Sequence, residues 1–191
     1  MKDTMSYRTW RIVSSPLFLA VTMVAFGLFA VFVLRPQAAL MAAHTPPGAE
    51  FDTSFFYTPA SALERAAAYT TEGRFVSIAA HWGFDLVFPM VYGLFIFAAW
   101  AFSLERLFQG SPLARRAAAA TFLGPAFDYA ENICVTMLMA NEPVNRLGWA
   151  IAASGATALK WLFVVSGAAG SALLLLFFCL RGIRKTRAKR S

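Results

Sequence analysis

The apolar positions of this chain gather into four long blocks, separated by charged or turn-forming stretches. The first covers 12–34, 23 residues without a charge, closed by Arg11 and Arg35. At 1.5 Å per residue that length crosses a hydrocarbon core of about 30 Å with room for tilt. The others lie at about 81–104, 117–140 and 151–180. Each predicts a membrane-spanning helix, and the expected fold is all-α, an integral membrane four-helix bundle formed by one domain over 1–191. A signal peptide would have a shorter apolar core and a small-residue cleavage site, so the first block reads as a retained anchor.

The connection at 35–80 is too long for a simple turn. Thr45-Pro46-Pro47-Gly48 and the stretch Phe51–Tyr57 read as extended and irregular. Thr58-Pro59 then has the form of a helix start, with a threonine cap before a proline whose missing N–H costs nothing at the first position. That helix is expected to continue through Tyr69 and stop at Gly73. Leu63, Ala66, Ala67 and Phe75 would give it an apolar stripe that lies on the membrane or caps the bundle. The loop is therefore read as a cap rather than a catalytic loop, with His44 solvated. The other connections, Glu105–Arg116 and Asn141–Arg146, are expected to be turns.

Composition agrees. The chain is 59% hydrophobic and 14% charged, with a mean hydropathy of +0.58, where a soluble domain is about half apolar and about a quarter charged. The net charge of +7 would suit nucleic acid, but no recognition fold accompanies it. Topology accounts for it better. With both termini in the cytoplasm, Lys2, Arg8, Arg11, Arg106, Arg115, Arg116 and the basic residues of the tail 181–191 lie inside. Arg35, Arg65, Arg74, Arg146 and Lys160 are left for the outside and the spans, which is the positive-inside pattern. The tail reads as a topology anchor, with contact to lipid head groups as the alternative. Cys134 and Cys179 fall in separate apolar blocks without a CxxC, so no disulfide is expected.

The candidate chemistry is what interrupts the apolar blocks. Asp128, Glu131 and Asn132 sit inside the third block at i, i+3 and i+4, and so share one helical face. A carboxylate at membrane depth costs roughly 2.5–3.5 kcal/mol on insertion scales, so it needs a partner or a task. Asp85 in the second block and Lys160 in the fourth fall at similar depth. Tyr92 and Tyr129 are within helical reach as hydrogen-bond donors. These seven residues form the candidate ligand-binding pocket. Three acids against one lysine leave negative charge that a proton or a cation would neutralise. The alternative is that the polar residues only hold the helices together.

Several chemistries are disfavoured. A zinc hydrolase of the kind found in membrane ceramidases needs several histidines, and this chain has two, His44 and His81, with no HExxH. No Gly-x-Ser-x-Gly or phosphate loop occurs, so no catalytic residue is assigned and no metal or cofactor is expected, and His81 is placed in an interfacial belt beside Trp82. Pro89 and Pro125 fall inside the second and third blocks, where each removes a helical hydrogen bond. Gly155, Gly167 and Gly170 give the fourth block a small-residue face, suited to internal packing or to a homodimer.

Tyr57-Thr-Pro59, Asp85-Leu-Val-Phe-Pro89-Met-Val-Tyr-Gly93, Phe127-Asp-x-x-Glu-Asn132 and Lys160 together resemble a group of small four-span bacterial inner-membrane proteins. The resemblance spans about residues 55–162. It implies the four-span architecture and the inner membrane, and it brings no catalytic residue with it. The functional expectation is a membrane protein that binds a small amphiphile or cation among surrounding lipids. The alternatives are a lipid- or isoprenoid-modifying enzyme with paired carboxylates, proton-coupled transport by a dimer, and an interaction partner whose polar cluster is structural.

Overall fold

The computed structural model describes residues 7–140 and 146–188. Residues 141–145 of the turn expected at 141–146 and the extreme ends of the chain lie outside the described residues, as do the side chains of Cys179 and the basic tail. The described residues are all-helical, with no strand. Helix α1 is Tyr7–Val13 and α2 is Pro16–Phe29, which continues through a π-helical turn, Ala30–Leu34, into α3, Arg35–His44. The loop carries α4, Pro59–Ala68, and α5, Thr71–His81. Then follow α6, Phe84–Leu107, α7, Pro112–Ala120, α8, Leu123–Met139, and α9, Arg146–Ala188.

Three starts share one device: a hydroxyl accepts a free N–H of the first turn, ahead of a proline. Ser15 accepts from Phe18 at 3.1 Å, Thr58 from Ser61 at 3.2 Å and Ser111 from Ala114 at 3.4 Å. The first of these moves a boundary. The apolar block expected from residue 12 is cut at Ser14-Ser15, and the long helix begins at Pro16. At its other end the helix does not stop at Arg35. The Arg35 N–H reaches back five residues to the Ala30 carbonyl, and this widened turn seats Pro36 without ending the helix. The loop helix from Thr58 ends at Ala68, earlier than expected. Thr70 caps a new helix, and Gly73 sits in its first turn rather than at a C-terminus.

Among the described residues three helical stretches are long and apolar enough to cross a membrane: Pro16–His44, Thr71–Leu107 and Arg146–Phe178. The expected third span, 117–140, is not one helix. Pro125 lacks the N–H that a continuous helix would need, and the chain turns at Thr121-Phe122 so that this gap falls in the first turn of α8. That leaves α8 with 17 residues, about 25 Å at 1.5 Å per residue.

Burial separates the helices by role. Only 6% of the most apolar window of Pro16–His44 and 11% of that in Arg146–Phe178 is buried, against 50% for Thr71–Leu107. Helix α6 is thus the most enclosed of the three, while the first stretch and α9 present side chains such as Leu17, Phe32, Leu162 and Leu173 outward. An apolar exterior of that extent suits lipid rather than water. The pairings give directions. Phe26 stacks on Phe95 and Phe29 on Phe88, so α2 and α6 are antiparallel. Phe97 meets Phe122, while Tyr92 reaches Asp128 and Asp85 reaches Asn132, so α6 and α8 are antiparallel. Helix α9 runs antiparallel to α8, with Phe127 on Phe163 and Lys160 at Asp128.

The loop folds back over one end. Ala49, Phe51, Tyr57, Ala62, Ala66 and Tyr69 form a core with Val135 and Leu138 of α8 and Ala153 of α9. Arg74 ties it down, donating to the carbonyls of Ala66 at 2.7 Å and Met139 at 3.2 Å. At the opposite end Trp10 is fully buried beside Phe97 and Ala118, and its indole donates to Glu105 at 2.5 Å.

Two glycines on the expected small-residue face pack internally, Gly167 against Ile96 and Gly170 against Trp100. Gly155 has open space. A Cβ at Gly93 would lie 2.5 Å from Pro125, and one at Gly170 would lie 2.5 Å from Trp100. Gly93→Ala and Gly170→Ala are therefore expected to destabilise by about 1–3 kcal/mol through overpacking. Gly155→Ala is expected to be neutral or slightly stabilising, and thermal melting of the three variants in one detergent checks the order.

Candidate functional site

The polar residues meet below the folded loop. On α8, Asp128, Glu131 and Asn132 are all buried on the face turned toward α6 and α9. Lys160 of α9 inserts between the two acids, with Nζ 3.1 Å from Asp128 Oδ1 and in direct contact with Glu131 Oε2. The other oxygen of Asp128 accepts from the Tyr92 hydroxyl at 2.9 Å. Glu131 Oε1 is held by the Thr157 hydroxyl and lies 3.4 Å from that of Tyr57. Asn132 donates to Asp85 Oδ2 at 2.9 Å. Six of the seven residues singled out in the sequence are thus brought together. The seventh, Tyr129, points elsewhere and donates to the Leu86 carbonyl at 2.8 Å.

Four further residues complete the cluster. Tyr57 and Thr157 stand 2.8 Å apart, hydroxyl to hydroxyl, so a loop residue is joined to the Glu131 network. Burial, and then the Glu131 charge, push the Tyr57 phenol above its ordinary range, which keeps it a proton donor. Asp52 comes from the irregular part of the loop, and His81 from the end of α5. They face each other with His81 Nε2 at 3.3 Å from Asp52 Oδ1. His81 is 1% exposed, its ring turned into the protein while the adjoining Trp82 stays exposed. Desolvation would raise the Asp52 carboxyl, but the charges of His81 and Lys160 outweigh it and hold it down at about 2. A carboxyl lowered in this way contributes stability above its ordinary range, lost only as pH falls through about 2.

Beside this cluster opens a cavity of about 860 Å³ between α2–α3, α6 and α9. Its lining has two kinds of wall. Glu50, Asp52, Asp85, Asp128 and Lys160 line the end under the loop. Phe26, Phe88, Phe95, Val164, Ala168 and Leu175 line the rest, along helices long enough to cross a membrane. The loop wall is braced by Arg65, which contacts the Glu50 carbonyl, donates to Ser54 Oγ at 2.6 Å and sits 5.1 Å from the Tyr57 ring centre.

The arrangement can do two things. It holds Lys160 in a fully paired state, and it leaves charge to spare. Asp52, Asp85, Asp128 and Glu131 are four carboxyls facing one lysine and one histidine. Asp128 and Glu131 meet Lys160 and Asp52 meets His81, which leaves Asp85, held by the neutral Asn132, as the cavity-lining carboxyl without a directly paired cation. Compared with protein-family models, curated proteins and solved structures, the chain matches none of them.

Replacing Lys160 with methionine leaves two buried carboxylates without their counter-charge. Removing one partner of such a group costs about 3–5 kcal/mol. Lys160→Met is therefore expected to melt far below the wild type. Tyr129→Phe, which removes a single hydrogen bond at an exposed site, is expected to cost about 0.5–1.5 kcal/mol. Thermal unfolding in one detergent checks both.

Proposed function

We propose that this chain is a four-span protein of the bacterial inner membrane, both termini in the cytoplasm, that binds a small amphiphile. The head would lie at the polar cluster under the loop, and the chain would follow the apolar wall between α2, α6 and α9. One observation carries the reading: a single cavity is acidic at one end and lined by phenylalanine and aliphatic side chains along the rest. Sites for small molecules are largely apolar with a few convergent polar groups, as this one is. The fourth span in this reading is α8, whose 17 residues would suffice where the loop and α7 flank it. The surplus of carboxyls favours a head group that donates hydrogen bonds or carries positive charge.

The acid–base alternative fares less well. Asp128 and Glu131 are both held by Lys160, and their remaining oxygens accept from Tyr92 and Thr157. A pair locked in this way is poorly placed to pass a proton to a substrate. The internal use of Gly167 and Gly170 supports packing within one chain over a homodimer.

Native mass spectrometry of the protein released from its own membrane tests the proposal. The wild type is expected to carry a discrete lipid-sized adduct. Ala168→Phe puts a ring into the cavity from an exposed position on α9. It is expected to remove the adduct while leaving the melting temperature unchanged. An adduct of equal occupancy on Ala168→Phe, or a bare wild-type mass, would overturn the reading.

A further inference from the structure

Lys160 satisfies two of the four acids, and the other two stand with a histidine. One ligand atom each from Asp52, His81 and Asp85 lies within 4.8 Å of the other two. The three residues come from separate elements: the irregular loop, the end of α5 and the first turn of α6. Such convergence is not a by-product of a charged surface, because His81 and Asp85 are 1% and 7% exposed. The imidazole is the informative member. Among the described residues Nε2 has only the Asp52 oxygen at 3.3 Å, outside hydrogen-bond geometry, and Nδ1 has no polar partner. A buried ring with so little satisfaction is costly unless something else binds there.

We propose that Asp52, His81 and Asp85 form a divalent transition-metal site, for Zn2+ or Mn2+, with its open coordination positions facing the cavity. The donor set suits borderline cations, since imidazole selects for first-row transition metals and two carboxylates balance a double positive charge. Donors about 2.1 Å from a tetrahedral centre stand about 3.4 Å apart. The His81–Asp52 separation of 3.3 Å already meets this. Asp85 closes the remaining distance by a small side-chain movement.

The supporting contacts fit the same purpose. Asn132 donates to one Asp85 oxygen at 2.9 Å and leaves the other free to ligate, an orienting contact of the kind that tunes metal ligands. Three protein ligands leave at least one position open, as in sites that bind a further molecule. Asp52 and Asp85 both line the cavity, so that position opens into it. This departs from the expectation drawn from the small number of histidines, because the two carboxylates take the places that further histidines would fill.

The full chain, purified in detergent and stripped with a chelator, is titrated with Zn2+ and separately with Mn2+. Bound metal is measured by elemental analysis after gel filtration. One equivalent of Zn2+ or Mn2+ per chain is expected for the wild type, with a rise in melting temperature. Asp52→Asn and His81→Gln are expected to weaken binding at least tenfold, and His44→Gln to leave it unchanged. Helical circular dichroism confirms that each variant is folded. Asp52 is a loop residue with a 34% exposed side chain, so its amide variant keeps the test decisive if His81→Gln fails to fold. Two results overturn the proposal and leave Asp52 and His81 as a plain ion pair. One is a folded wild type that retains neither metal stoichiometrically. The other is a folded Asp52→Asn with wild-type affinity.

Discussion

An ammonium group enclosed between two carboxylates, in helices that are otherwise apolar, is the constraint on which the rest of this structure depends. Taking those charges out of water is costly, and only close geometry compensates. Lys160 therefore has to meet Asp128 and Glu131 together, and that requirement sets the register of α9 against α8. The rest of the seam follows the same alignment, with Thr157 at Glu131, Phe163 on Phe127 and Val164 against Gly124. Apolar side chains alone specify register weakly between helices surrounded by lipid, because lipid tails are as apolar as they are. The charged group supplies what they lack.

The same group recruits the loop. Tyr57 reaches Glu131 and Thr157, and the Asp52 carbonyl lies 3.5 Å from Lys160 Nζ. Arg65 and Arg74 then hold the loop backbone from the other side. An irregular segment between two long helices becomes the wall of a site, because its polar atoms find partners already fixed in the bundle. The loop brings Glu50 and Asp52 to the cavity, where they join Asp85 and Asp128 at its acidic end.

Much of the helical content was legible in the sequence, because charge-free blocks of about twenty residues have few alternatives. So was the polar face of α8, since Asp128, Glu131 and Asn132 interrupt an apolar background at helical spacing. The missed residues failed for identifiable reasons. Asp52 sits in a stretch without periodicity, so nothing in the chain gave it a depth. His81 adjoins Trp82, a residue typical of interfaces, and its burial depends on a loop that returns from far away. Thr157 bonds its own Ala153 carbonyl, so it raises no alarm in an apolar helix. The same rule applied to Pro89 and Pro125 meets two outcomes. Pro89 is carried inside α6, while Pro125 is placed in the first turn of a new helix. The choice between those outcomes depends on packing, which the local sequence does not contain.

Helix α9 runs unbroken for 43 residues, about 65 Å at 1.5 Å per residue. Lys160, the cavity wall at Ala168 and Leu175, and the start of the basic tail therefore belong to one rod. From Lys160 to the helix end at Ala188 the arm is about 42 Å, so a tilt of about 5° at the lysine displaces its tip by about 4 Å. A small adjustment at the buried charges is thus magnified, without any hinge, where the chain carries its densest positive charge.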